Sequence, residues 1–142
     1  MVMRNLRRII ALLVIVVTFA IVPVYGHAAT GSKSLYVFGA RYSASYYVDV
    51  NQAVNRARAG ITITWLSGSA ANYCSGRVSV VAVGEDGTVL GGSIANYALH
   101  PTDTSVSKSC SFIPDDGTSV YLAQGAYYFE EEQWILNYFP AS

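Results

Sequence analysis

ARYSASYYVDVNQAVNRARAGITITWL, residues 40–66, is the stretch that decides the fold. Its first half places Ala40, Tyr42, Ala44, Tyr46, Val48 and Val50 at even positions and Arg41, Ser43, Ser45, Asp49 and Asn51 at odd ones, with only Tyr47 blurring the alternation. Its second half inverts the phase, with Ala57, Ala59, Ile61, Ile63 and Trp65 apolar and Arg56, Arg58, Thr62 and Thr64 polar. Side chains along a strand point alternately to opposite faces, so each half has one core face and one wet face, and the pair reads as a β-hairpin. Opposite phases share one core only if paired residue numbers add to an odd value. A sum of 105 pairs Tyr46 with Ala59, Ala44 with Ile61, Tyr42 with Ile63 and Ala40 with Trp65, so that large residues often meet small ones. On the wet face it sets Asp49 opposite Arg56 and Tyr47 opposite Arg58, contacts worth tenths of a kcal/mol each. The connection Asn51–Val54 lacks the Asn-Gly or Asp-Gly of a tight turn, which points to a wider loop. A short helix is the competing reading there, capped by Asp49 or Asn51 and stopped by Gly60.

Outward from this hairpin, Thr30–Ser34 reads as a short flexible lead and Leu35–Gly39 as an apolar run that starts or feeds a strand. Ser67–Gly76, rich in Ser, Gly, Ala and Asn, reads as a loop and a candidate binding loop. Val78, Val80, Val81 and Val83 form a β-branched run that ends at Gly84-Glu85-Asp86-Gly87, the strongest tight-hairpin signal in the chain. A similar unit recurs where Ser109–Ile113 precedes Pro114-Asp115-Asp116-Gly117-Thr118 and a strand over Val120–Ala123. The shared Asp-Gly-Thr reads as two turns solved in the same way. Gly91–Leu99 continues a strand and His100–Ser107 reads as a long polar loop. Ala126–Phe139 reads as two strands joined near Glu130-Glu131-Glu132, with a terminal helix as the rival. Regular turns between many short strands give an all-β class, a small antiparallel β-sandwich or barrel.

The N-terminus carries Arg4, Arg7 and Arg8, then the 14-residue apolar run Ile9–Val22, then small residues around Gly26 and Ala28. This pattern is that of a secretory signal peptide over residues 1–28, since a membrane-spanning helix needs about 20 residues. Residues 29–142 are then one secreted, extracellular domain with no stable membrane span after cleavage. Three of the nine basic residues leave with the leader, so 6 Lys+Arg stand against 9 Asp+Glu and the net charge is −3. That balance speaks against a nucleic-acid partner and against simple cationic membrane disruption. An oxidising compartment and only two cysteines predict one disulfide, Cys74 to Cys110, worth about 4 kcal/mol in the chain-entropy model.

No catalytic motif is readable. His100 with Asp103 and a serine can be drawn as a triad, but no Gly-x-Ser-x-Gly elbow occurs, and a loop histidine is the simpler account. Asp115 and Asp116 suit a turn, and the three glutamates suit a solvated edge, so neither a glycosidase pair nor a calcium loop is expected. No cofactor and no metal are expected, and the chain lacks an Asn-x-Ser/Thr acceptor site. The compositional excess is aromatic: eleven tyrosines and two tryptophans. Tyr46-Tyr47 and Tyr127-Tyr128 cannot each place both rings in one core, and exposed Tyr and Trp offer rigid contact area at low entropy cost. The sequence therefore nominates Tyr47, Arg58, Tyr127, Tyr128 and Trp134 as contact residues of a non-catalytic binding module for an extracellular protein or glycan ligand. A small secreted toxin is the alternative, and a hydrolase or hydrolase inhibitor ranks below it.

Overall fold

The computed structural model describes residues 29–69 and 73–140; the expected signal peptide, residues 1–28, and the middle of the 67–76 loop lie outside the described residues. Eight antiparallel strands follow one another as β1 (Ala29–Val37), β2 (Ala40–Asn51), β3 (Arg56–Gly68), β4 (Cys74–Val83), β5 (Val89–Leu99), β6 (Ser105–Phe112), β7 (Leu122–Phe129) and β8 (Glu132–Tyr138). They form two four-stranded sheets, in the order β1-β2-β3-β6 and β5-β4-β7-β8. The all-β expectation is met as two packed antiparallel sheets.

The opening hairpin is β2 and β3. Its faces are as read, with Ala44, Val48, Ala57, Ala59 and Ile63 fully buried. Its register is not. Tyr46 pairs with Ile61, Val48 with Ala59 and Asp49 with Arg58, two residues from the expected alignment. A shift of two leaves every side chain on its own face, so the core pattern alone did not discriminate. The connection decides the register: Gln52–Asn55 is a four-residue turn, with Asn55 in the left-handed region at φ 52°. Asn tolerates that conformation better than most residues. The Asn55 side chain also donates to Thr118 O (2.9 Å) and accepts from Val120 N (2.8 Å), while Gln52 Nε2 donates to Val120 O (3.1 Å). These bonds tie the turn to the segment that leads into β7, and they leave no place for the competing helix.

Thr30–Ser34 is not a lead but the first half of β1, paired residue by residue with β2. Thr30, Ser32 and Ser34 fall on the outer face of an edge strand, and Lys33 reaches from the other face to Trp134 and Glu132, which is why the segment resembles a loop in sequence. β1 and β2 join through Phe38 and Gly39, both at positive φ. Likewise Ser105–Ser107, read as loop, belongs to β6. The two Asp-Gly-Thr turns are built alike: Asp86 Oδ1 accepts from Thr88 N (3.0 Å) and Asp116 Oδ1 from Thr118 N (2.9 Å). Only the first closes a hairpin. The second lies on the crossover from β6 in one sheet to β7 in the other. Ala126–Phe139 forms strands, with the β7–β8 turn at Glu130 and Glu131.

The core lies between the sheets, with Leu35, Tyr42, Val48 and Ile63 from the first and Val78, Val80, Tyr127 and Phe129 from the second. Buried tyrosines need partners for their hydroxyls. Tyr97 Oη donates to Tyr128 O at 2.7 Å, and Tyr127 Oη donates to the main-chain carbonyl of Tyr47. Tyr42 Oη meets Cys74 Sγ at 3.6 Å, and burial pushes its phenol up to about 12.

The expected disulfide is absent: Cys74 and Cys110 are free, buried thiols. Cys110 pairs with Ala59, which pairs with Val48, whereas Cys74 lies at the hydroxyl of Tyr42. Cys110 Sγ meets the Val78 carbonyl at 3.6 Å, and Val78 is four residues from Cys74 along β4, about 13 Å of strand. A disulfide requires Cα atoms within about 7 Å. Counting cysteines by elimination could not show that the sheets hold them at separate rows of the core.

Candidate binding face

The outer face of the first sheet is set by the polar half of each strand's alternation. Because the four strands keep one register beyond the irregularity at Arg41–Tyr42, their outward residues form cross-strand rows. One row is Ser32, Ser45, Thr62 and Ser107; the next is Ser34, Ser43, Thr64 and Ser105. Rows within a sheet repeat every two residues, about 6.8 Å, and strands every ~4.8 Å, so eight hydroxyls stand on a regular grid. Thr62 Oγ1 and Ser107 Oγ are hydrogen bonded at 2.8 Å.

Beside this grid lies the row Thr30, Tyr47, Gly60 and Ser109. A β-carbon at Gly60 would collide with the Tyr47 ring, so the ring lies across the glycine rather than standing off the sheet. Arg58 lies next to it, its guanidinium carbon 5.3 Å from the ring centroid, and Arg58 Nη2 donates to Asp49 Oδ2 at 3.1 Å. That bond to Asp49 pushes the Arg58 guanidinium further up. Two open depressions flank this cluster, each ≈ 360 Å³. One is lined by Tyr47, Thr62, Ser107 and Ser109 with Ile61 and Lys108, the other chiefly by Asp49, Asn51, Gln52, Arg56 and Arg58. Both are near the lower end of the ~300–1,000 Å³ typical of small-ligand clefts.

No known protein family matches the chain, and no curated protein does. The face must therefore be judged on its chemistry.

The structure brings together Tyr47 and Arg58 of the nominated residues and separates the others. Tyr128 is on the outer face of the second sheet, under Arg77, whose guanidinium carbon is 4.3 Å from its ring. Trp134 is half-buried among Tyr46, Tyr127 and Lys33. Tyr127 is a core residue rather than a contact residue, at 0% exposure, because its ring closes over Gly125 and points into the sandwich. The parity argument correctly demanded that one of Tyr127 and Tyr128 face outward. It did not say which sheet that would be.

The remaining groups singled out for chemistry have structural tasks. His100 and Asp103 cap one turn: Asp103 Oδ2 accepts from His100 N at 2.9 Å and lies 3.2 Å from Nδ1, and these bonds hold the Asp103 carboxyl below its ordinary value. His100 packs on Tyr73. Glu130 Oε1 accepts from Ser75 N at 2.7 Å, and Glu132 pairs with Lys33 at 3.8 Å. Among the described residues no group of three or more His, Cys, Asp or Glu side chains is placed to hold a metal ion.

Sequence reasoning missed the hydroxyl grid, and it placed Arg56 on this face as the partner of Asp49 rather than as a contact residue. The signal for the grid was present in Thr30, Ser32 and Ser34 and in the serines of 105–111, but it becomes visible only once both segments are recognised as strands.

Proposed function

We propose that the protein is a secreted, non-catalytic binding module for a polyhydroxylated ligand, a glycan of the cell envelope or extracellular matrix. The ligand is held on the outer face of the first sheet. The observation that carries this reading is the Tyr47 ring laid across Gly60 beside a four-strand grid of serine and threonine hydroxyls. A supported aromatic ring offers apolar area to the C–H face of a sugar, and fixed hydroxyls both donate and accept, as sugar hydroxyls require. Polar rows of this kind are also soluble when unoccupied, which suits an exported domain.

Retention of the purified protein on a panel of immobilised polysaccharides tests the proposal. Tyr47→Ala is expected to lower retention at least tenfold, corresponding to about 1.4 kcal/mol. Tyr128→Ala, on the opposite sheet, should leave retention unchanged. If Tyr128→Ala abolishes retention and Tyr47→Ala does not, the binding face has been assigned to the wrong sheet. Circular dichroism of both variants separates loss of binding from loss of fold.

A further inference from the structure

The charges of this protein are segregated. Of nine acidic residues, only Asp49 lies on the outer face of the first sheet, and the other eight sit in turns or at strand ends, at 85–86, 103, 115–116 and 130–132. The same face carries Arg41, Arg56 and Arg58, three of the six basic residues in the described part. Arg41 lies at the far end of β2, so beside Asp49 the two arginines 56 and 58 leave one net positive charge on a domain whose described residues sum to −3. Within the face the charges are not equivalent. Arg58 is neutralised by Asp49 at 3.1 Å, while Arg56, two residues away on the same face of β3, has no carboxylate partner among the described residues. The Nε atoms of Arg56 and Arg58 and Oδ1 of Asp49 are also buried without a hydrogen-bond partner. Buried donors without acceptors are costly, and a guanidinium offers a planar fork that fits a carboxylate or sulfate. Arg56 lines the depression on the Asp49 side of the cluster, together with Asn51 and Gln52, while the Tyr47 ring lines the other.

We infer that the ligand is an anionic glycan, its carboxylate or sulfate group seated on Arg56 while its hydroxyls and ring carbons lie toward Tyr47 and the serine–threonine rows. This inference rests on the reading of the Tyr47 face as a glycan-binding surface. A nucleic acid is the less suitable polyanion, because the Ser, Thr and Asn side chains that fill the outward rows match sugar hydroxyls while three arginines give a small phosphate footprint.

The test measures the affinity of the purified protein for a carboxylated polysaccharide, a sulfated one, a neutral one of similar length and single-stranded DNA, at low and moderate salt. The expected result is preference for one of the acidic polysaccharides over the neutral one by at least tenfold, weakening as salt rises. Comparison of the two acidic polymers identifies the anion. Arg56→Gln should remove that preference and its salt dependence while keeping residual, Tyr47-dependent affinity for the neutral polymer. Arg56→Lys should restore the charge but only part of the affinity. If the neutral polymer binds as well as the acidic ones and Arg56→Gln changes nothing, the inference is overturned while the glycan-binding reading stands. Retention of none of the polysaccharides overturns both. DNA binding that survives Tyr47→Ala would show a general polyanion surface instead and also overturns the inference.

Discussion

Alkaline pH should destabilise this fold through Cys110. The thiol is 8% exposed, sits between the sheets and meets the Val78 carbonyl at 3.6 Å. Burial pushes it from 9.0 up to about 11. A group whose value is raised on folding contributes stability that is complete below its unfolded value and is lost as pH climbs through the folded one. The loss at pH 10 is about 1.4 kcal/mol, and it approaches about 2.7 kcal/mol above pH 11. With a urea slope of ~1–3 kcal/mol/M, the pH 10 loss moves the unfolding midpoint by about 0.5–1.4 M. Tyr42 and Cys74, also raised mainly by burial, add to the alkaline fall in the parent protein. Urea melts at pH 8 and pH 10 should therefore be run on the parent and on Cys110→Ala, each compared with its own pH 8 value so that the packing cost of the substitution cancels. The variant should lose about 1.4 kcal/mol less than the parent over that interval. A thiol reagent should count two thiols in the unfolded parent and react far more slowly with the native one. An equal pH dependence in the two proteins, or no titratable thiol after unfolding without reductant, would refute both the buried-thiol reasoning and the separation of the two cysteines.

Two further outcomes test the parts that position the face. Asn55→Ala removes both bonds to the crossover and leaves a left-handed backbone without Asn; it should cost about 2–3 kcal/mol in a urea melt, and Asn55→Gly should cost less because glycine accepts that φ. Gly60→Ala inserts a methyl under the Tyr47 ring and should destabilise by about 1–3 kcal/mol while displacing the ring. Intrinsic tyrosine fluorescence and glycan retention should change together, and a stable variant with unaltered retention would show that the ring does not depend on the glycine.

Much of the sandwich was legible because the β2–β3 alternation is long, and because facing is fixed by parity rather than by exact register. The same parity hid the two-residue shift, which was decided by Asn55 and its bonds to a segment 63 and 65 residues away. β1 was illegible for a different reason: Thr-Gly-Ser-Lys-Ser is loop-like in composition, and only pairing with β2 turns its spacing into an outward row. The candidate face was half legible. Tyr47 and Arg58 follow from alternation, whereas the isolation of Arg56 depends on which arginine Asp49 pairs with, and the sequence alone favoured the wrong one. Tyr127 was misplaced because adjacent tyrosines reveal that one is outside but not which.

The pairing of rings with glycines has a consequence for how this sequence can drift. Tyr46 covers Gly31, Tyr47 covers Gly60 and Tyr97 covers Gly76, each directly across a strand pair. Such a pair divides one volume between two positions, so neither member can be exchanged alone without a collision or a gap. In descendants of this chain, a side chain gained at one of these glycines should be accompanied by a smaller residue at its tyrosine. At Gly31 that exchange costs packing, whereas at Gly76 it also breaks the Tyr97–Tyr128 hydrogen bond and sets the new β-carbon against the Tyr128 carbonyl. At Gly60 it also removes the proposed ligand platform, so a lineage that keeps the fold but abandons the ligand should record the change first at positions 47 and 60.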